Sequence, residues 1–157
     1  MSGVAFIARA VAEGRTTAAT VAREVGRRLT RTAGLNAVLH WSQDLLDRGA
    51  ARVDSLGQSA RQSLPLAGVP VALKDNIVTT DQPTTCASRI LEGYVSPYEA
   101  TVVRRLRAAG AIIIGKTTTP EFGHKGVTES PLFGITRNPW NPQRTPGGSS
   151  GGAAAAV

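Results

Sequence analysis

The feature that most constrains the fold is the glycine-rich stretch at residues 145–157, which reads TPGGSSGGAAAAV. Two glycine pairs flank Ser149 and Ser150. Because glycine accepts backbone angles that a side chain forbids, such a turn can bring main-chain N–H groups and a hydroxyl close to a ligand. The alanine run predicts the first turn of a helix. A loop that leads into a helix presents unpaired N–H groups and a partial positive charge. The stretch therefore predicts a site for an oxyanion, a carboxylate or a phosphate.

Two other interpretations of this stretch are weaker. A flexible linker has a similar glycine and serine composition. This stretch, however, adjoins a helix-forming run and follows a stiff segment, residues 138–142, that contains a tryptophan. A nucleotide-binding phosphate loop needs a lysine followed by serine or threonine after its last glycine. Ala153 and Ala154 stand there instead.

The composition is that of a globular protein, with 157 residues, of which 41% are hydrophobic and 18% are charged. The net charge of +7 raises the question of nucleic acid. The arginines are dispersed and few aromatic residues accompany them, so we expect solvated helix surfaces and no direct contact with nucleic acid.

The final apolar run has no polar stop or capping residue, which predicts that the chain is the front part of a larger domain.

The single cysteine and the N-terminal residues indicate the cellular compartment in which the protein is expected. Cys86 is the only cysteine, so we expect a small buried thiol and a reducing environment. The apolar residues 4–8 are interrupted by Arg9 and are too few for a signal peptide or a membrane span. The sequence therefore predicts a cytoplasmic protein that does not contact a membrane.

Hydrophobic periodicity predicts three helices before residue 63. The first covers residues 4–13 and stops at Gly14, and Thr16 or Thr17 caps the second. The third covers residues 42–56. Its predicted apolar side consists of Leu45, Leu46, Val53 and Leu56, with Gly49 as a weak point. His40 is expected to pack or to lie at the surface, because no other metal-ligating residue accompanies it.

A short apolar strand is predicted at residues 69–73, directly before Lys74. A lysine at the end of a buried strand is either an ordinary surface residue or a functional group beside a pocket. The spacing alone leaves the two interpretations equal.

A helix followed by a buried strand is predicted next. Ser96, Pro97 and Glu99 form a capping signature, and Gly110 closes the helix. The predicted buried stripe is Val102, Val103 and Leu106. The apolar residues 111–114 then predict a strand covered on both faces, which indicates an α/β architecture.

The following thirty residues predict a functional loop. It contains Lys116, Glu121, His124 and Lys125, but no catalytic or metal spacing links them.

Four pieces together resemble the amidase signature family, whose members hydrolyse amides through a Ser-Ser-Lys triad. They are LAGVPVALKDN at 66–76, AGAIIIGKT at 109–117, FGITRNPW at 133–140 and PGGSSGG at 146–152. The resemblance implies an α/β fold with a mixed central sheet wrapped by helices. It also implies a small-molecule amide substrate and no metal or organic cofactor, and it leaves a homo-oligomer open. Residues 1–157 would be the N-terminal portion of a single amidase domain, with 1–63 as a helical lead-in and 64–157 as the start of the catalytic core.

The resemblance also implies roles for individual residues. Lys74 matches the lysine of the triad and Ser149 its bridging serine, with a cis peptide bond before Ser149. Substrate binding is expected from Gly123 and Ser149. Support of the loop is expected from Gly147, Gly148, Ser150 and Gly151. The family's nucleophile and oxyanion-hole amides lie in a later segment beyond residue 157, so this chain alone is expected to be inactive.

Three functions remain open. The TCAS run at 85–88 is similar to that of the A subunit of glutamyl-tRNA amidotransferases, whereas PEFG at 120–123 is more similar to general bacterial amidases, which we favour. An amidotransferase subunit would release ammonia from an amide for a partner enzyme. The third alternative is a catalytically inactive remnant that serves as an interaction module.

Overall fold

The computed structural model describes residues 3–157 and shows a mixed α/β chain, as the sequence predicts. The helices are α1 (Val4–Ala12), α2 (Ala18–Arg31), α3 (Gln43–Asp54), α4 (Gln58–Gln62), α5 (Thr101–Ala108) and α6 (Gly151–Ala156). The strands are β1 (Val38–Leu39), β2 (Pro70–Lys74), β3 (Ile112–Thr117), β4 (Glu129–Ser130) and β5 (Gly134–Ile135). Single 3₁₀ turns lie at Ala33–Leu35, Arg89–Leu91 and Glu121–Gly123. Among the described residues, no helix is both long enough and apolar enough to cross a membrane.

The chain divides into two compact units. Of the described residues, the first unit contains those up to Arg28 together with Trp41–Val71 and Thr101–Ile114. The second contains Leu29–His40, Ala72–Ala100 and Gly115–Val157. The division into a lead-in at 1–63 and a catalytic core at 64–157 stays a prediction.

The first unit has a core of small and branched side chains. Its buried members are Val11, Ala18, Val21, Ala22, Leu46, Ala50, Val53, Ala67 and Ile112. Gly49 lies on the buried side of α3, and a β-carbon placed on it would lie 2.7 Å from Ile112 Cγ2. The absence of a side chain at Gly49 therefore lets α3 pack closely on Ile112, which sequence reasoning treated only as a weak point.

Helix ends in the first unit follow the predicted capping. Gly14, with φ +75°, follows α1. Thr17 Oγ1 accepts from Thr20 N at 3.1 Å, which identifies Thr17 as the cap of α2. The carboxylate of Asp54 adds a contact that the sequence did not predict. It accepts from the N–H groups of Ala18 and Ala19 at 2.8 and 2.9 Å, so a residue at the end of α3 satisfies the first donors of α2.

The predicted bounds of α3 and α5 need correction. Helix α3 ends at Asp54, so Leu56 lies beyond it and is 38% exposed. Helix α5 begins at Thr101 and not after Ser96. Val103 is buried as predicted and Leu106 is half-buried, but Val102 is 49% exposed and does not belong to the buried stripe.

The reason for the late start of α5 lies in the segment before it. Ser96 Oγ accepts from Tyr98 N at 3.2 Å and donates to Tyr98 O at 2.7 Å, so this hydroxyl closes a local turn. Ala100 N donates to Val78 O at 3.1 Å. These bonds use the groups that a helical turn over the same residues would need.

The main sheet has three strands in the order β1-β3-β2. Strand β1 pairs antiparallel with β3, with Leu39 opposite Lys116. Ile112 N donates to Val69 O at 2.8 Å and Asp75 N donates to Thr117 O at 3.0 Å, so β2 and β3 run in the same direction. Strand β3 is longer than predicted and includes Lys116, which the sequence analysis placed in a loop.

Candidate active site

The end of strand β2 and the glycine-rich loop meet in the second unit. Lys74 Nζ donates to Ser149 Oγ at 2.6 Å, although 75 residues separate them in the sequence. Both residues are half-buried. This contact confirms the predicted approach of the two side chains. A lysine nitrogen at this distance can take the proton of the hydroxyl when it is unprotonated.

The loop that carries Ser149 is held by main-chain packing and one hydroxyl. The peptide bond between Gly148 and Ser149 is cis, as the resemblance implies. A β-carbon on Gly148 would lie 2.9 Å from main-chain atoms of Val127, so only glycine fits there. Thr128 Oγ1 donates to Gly147 O at 2.8 Å and accepts from Gly151 N at 3.0 Å. Thr128 thus ties a glycine before the serine pair to a glycine after it, and sequence reasoning missed this residue.

Helix α6 follows the loop, as predicted. Gly152 N donates to Thr118 O at 3.2 Å, and a β-carbon on Gly152 would meet Thr118 N and lie 2.7 Å from Ala37 O. Ser150 is exposed and precedes the helix without a capping bond from its side chain to any described residue. The contacts that anchor this part of the loop therefore come from the glycine backbone.

A buried ion pair lies directly beside Lys74. Asp75 and Lys116 are both fully buried, and the distance from Lys116 Nζ to Asp75 Oδ1 is 3.9 Å. The Asp75 carboxylate accepts from Thr85 Oγ1 at 2.5 Å and from the N–H groups of Thr85 and Ala87 at 3.3 and 3.5 Å. Burial lowers the pKa of Lys116, while the nearby Asp75 carboxylate acts in the opposite direction.

Lys116 also holds the turn that follows Lys74. Its Nζ donates to Ile77 O at 2.8 Å and to Thr84 Oγ1 at 2.7 Å. Ile77 N in turn donates to Lys74 O at 2.9 Å. The sequence alone predicts no role for Lys116. The signal that could have found it is a lysine that follows closely on the apolar run 111–114, a strand expected to be covered on both faces.

Gly123 lies beside Ser149, so the structure brings the two predicted substrate-binding residues together. Gly123 has φ +69°, and a β-carbon on it would lie 3.9 Å from Ser149 Oγ. The turn before it is anchored by Phe122 N, which donates to Cys86 O at 2.8 Å. Cys86 is half-buried, whereas the sequence predicts a buried thiol, and its backbone adopts φ +49°. Burial raises the pKa of its thiol.

His40 packs as the sequence predicts. It is half-buried, and its ring meets that of Phe133 edge to face, with centroids 5.7 Å apart and planes at 77°. Burial lowers the pKa of His40. In the part of the chain that the structure describes, no group of three or more His, Cys, Asp or Glu side chains is arranged to hold a metal ion.

One known protein family matches most of the chain. The family model described as Amidase matches residues 20–157, which include Lys74, Gly123 and the whole glycine-rich loop. The chain belongs to the amidase family. The amidase fold that the resemblance implies is therefore shown.

Several relatives of the chain are similar over most of its length. The A subunit of the Nocardia farcinica glutamyl-tRNA(Gln) amidotransferase is 55% identical over 78% of this chain and 25% of the relative. Its counterpart from Symbiobacterium thermophilum is 46% identical over 100% of this chain and 33% of the relative. The native peptide amidase of Stenotrophomonas maltophilia has a similar structure, with a TM-score of 0.89 and 34% identity over 99% of this chain and 34% of that one. The chain thus spans a quarter to a third of the length of these relatives.

Proposed function

We propose that this amidase-family chain takes part in hydrolysis of a small-molecule amide, with Lys74 as the base and Ser149 as the proton relay. The contact of 2.6 Å between Lys74 Nζ and Ser149 Oγ carries the proposal. A serine hydroxyl is a poor nucleophile at neutral pH, so it needs a neighbouring base to accept its proton. The attacking hydroxyl would come from a residue outside 1–157, as the resemblance implies.

The proposed reaction moves one proton in and out of the Lys74–Ser149 pair. As the attacking oxygen bonds to the amide carbon, its proton passes to Ser149 Oγ, and the Ser149 proton passes to Lys74 Nζ. The carbonyl electrons move onto oxygen. When the C–N bond breaks, the same path returns a proton to the leaving nitrogen. Water then attacks the acyl carbon, and its proton passes through Ser149 Oγ to Lys74 Nζ. The bond between the acyl carbon and the attacking oxygen breaks, the proton returns to that oxygen, and the acid is released.

The buried pair beside Lys74 supports this proposal. Lys116 bonds to Ile77 O, and Ile77 N bonds to Lys74 O, so the backbone next to the base is fixed from the protein interior. A catalytic group needs its geometry fixed before the substrate arrives, because a misplaced group loses most of its effect.

The relatives favour a second candidate function. Two amidotransferase A subunits are 46% and 55% identical to this chain, whereas the peptide amidase is 34% identical. The second candidate is therefore the A subunit of an amidotransferase, in which the same relay would release ammonia from an amide for a partner enzyme. Co-purification with a second subunit would favour it over a free-standing amidase. An inactive interaction module would show no turnover in either setting.

Labelling with a serine-directed fluorophosphonate tests the assigned roles. The 157-residue chain and the longer product of its reading frame, where the frame continues past Val157, are each incubated with the reagent and with a simple aryl amide. We expect no turnover and no labelling at Ser149 in the short chain, and turnover with labelling at a different serine in the longer product. Steady turnover by the short chain with labelling at Ser149 would mean that Ser149 is itself the nucleophile.

A further inference from the structure

Three consecutive threonines, Thr117 to Thr119, follow one another where strand β3 ends, and their hydroxyls differ in what they contact. The Thr118 hydroxyl is engaged, since its Oγ1 lies 2.6 Å from Thr136 Oγ1 and 3.3 Å from Asn36 O. The hydroxyls of Thr117 and Thr119 have no hydrogen-bond partner among residues 3–157. The two residues are only 1% and 2% exposed.

A buried hydroxyl without a partner is costly. Leaving such a group unsatisfied costs about 1–3 kcal/mol, and native proteins keep few of them. For Thr119, no gain in packing from the hydroxyl offsets this cost, because valine has the same shape. A group that is unsatisfied in the unliganded chain but faces a binding site can recover the cost when a ligand arrives.

Thr119 lies beside the candidate site, close to Gly123 and Ser149. A β-carbon built on Gly123 would lie 4.0 Å from Thr119 Oγ1 and 3.9 Å from Ser149 Oγ. A side chain at residue 123 would therefore contact both hydroxyls, so the two hydroxyls border one point beside Gly123. Both segments around this point are fixed, since Thr118 O accepts from Gly152 N and Gly123 N donates to Pro120 O.

We infer that Thr119 Oγ1 contacts the carboxamide of the substrate, so that the amide site extends from Ser149 past Gly123 to Thr119. This inference rests on the proposed function. A carboxamide presents both N–H donors and a carbonyl acceptor, and a threonine hydroxyl can match either. Thr119 is thus a substrate-contacting residue with no part in the proton relay.

Valine substitutions at the three positions form a matched series. Thermal unfolding of the 157-residue chain is compared for Thr117→Val, Thr118→Val and Thr119→Val, and binding of benzamide is measured by ligand-observed NMR titration. We expect Thr119→Val to unfold at the same temperature as the unsubstituted chain or higher, and to bind benzamide about three- to tenfold more weakly. Thr117→Val should likewise unfold at the same temperature or higher, because its hydroxyl also has no partner among residues 3–157, but it should bind benzamide normally. Thr118→Val should lower the unfolding temperature, because it removes a satisfied buried bond.

The outcomes separate this inference from the function on which it rests. If Thr119→Val lowers the unfolding temperature as much as Thr118→Val does, the hydroxyl is structural and the inference is wrong. If Thr119→Val binds benzamide normally while Ser149→Ala weakens binding, the inference alone is wrong and the amide site stands. If the unsubstituted chain does not bind benzamide, the series is repeated in the longer product of the reading frame, and a lack of binding there means that the amide site and the inference both fail.

Discussion

Lys116 Nζ lies 3.9 Å from Asp75 Oδ1, and neither side chain has any exposure to solvent. Both charged groups have lost their hydration. Each is compensated by the other and by hydrogen bonds, which Asp75 accepts from Thr85 and Ala87 and Lys116 donates to Ile77 O and Thr84 Oγ1. Removing one partner of such a pair leaves an uncompensated buried charge. Because Asp75 follows Lys74 in the chain, the cost would fall on the part of the fold that places the proposed base.

We predict that Asp75→Asn and Lys116→Met each lower the free energy of unfolding by about 3–5 kcal/mol, and that the double variant loses less than the sum. Urea titrations of the two single variants and the double variant measure this coupling. The control is Lys125→Met. Its partner Glu129 lies 3.7 Å away at the surface, so no measurable loss is expected. Additive effects at Asp75 and Lys116 would show that the two charges do not interact.

The free energy of unfolding should increase with pH above neutrality, because the pKa of Lys116 is lowered in the folded chain. Burial lowers its pKa from the ordinary 10.5, so the folded chain releases this proton before the unfolded chain does. Between the lowered pKa and about 10.5, the unfolded state binds more protons and the free energy of unfolding increases with pH. Lys116→Met should lack this increase. Urea unfolding at several pH values between 7 and 10.5 compares the two proteins, and parallel curves would contradict the prediction.

Local sequence patterns predicted the elements on which Lys74 and Ser149 lie. Glycines on both sides of Ser149 require a tight turn, and the apolar run before Lys74 requires a strand, so each residue could be placed on its element. That Lys74 and Ser149 meet came from the resemblance to a family. No local pattern joins residues 75 positions apart.

The missed features are contacts between segments distant in sequence. Asp75 and Lys116 are 41 positions apart in the chain, and Thr128 bonds to Gly147 and Gly151 across a hairpin of β4 and β5. The capping signature at Ser96 failed for a related reason. The capping pattern is local, whereas Ala100 N is taken by Val78 O, far back in the chain.

The lowered pKa of His40 predicts that the folded chain loses stability in mild acid. Burial lowers its pKa from 6.5, so the unfolded chain takes up this proton first as the pH falls. Stability should therefore decrease as the pH falls below 6.5, until the lowered pKa is passed. His40→Asn should reduce this dependence, and asparagine tolerates the φ of +54° at this position. The measurement is urea unfolding from pH 7 to pH 5, and an unchanged slope in His40→Asn would exclude His40 as the cause.

Gly152 should not tolerate a side chain. Its β-carbon would meet Thr118 N and Ala37 O, which are backbone atoms and cannot move aside cheaply. We expect Gly152→Ala to lower the free energy of unfolding by about 1–3 kcal/mol. Gly34→Ala is the matched control, because nothing lies within 4 Å of the position of its β-carbon. Equal unfolding midpoints for the two variants would mean that α6 does not pack at this point as described.

The last prediction concerns the relay as a unit. In a form of the protein that turns over amides, Ser149→Ala and Lys74→Ala should each lower kcat by about a thousandfold or more, because either change interrupts the path of the proton. The double variant should be little worse than either single one, since a broken relay cannot be broken twice. Ser150→Ala is the comparison, because its hydroxyl is exposed and does not cap α6, and its loss should be far smaller. Steady-state kinetics of the four variants measure this. Multiplicative losses in the double variant would mean that Lys74 and Ser149 act independently, and the contact of 2.6 Å between them would then have no catalytic meaning.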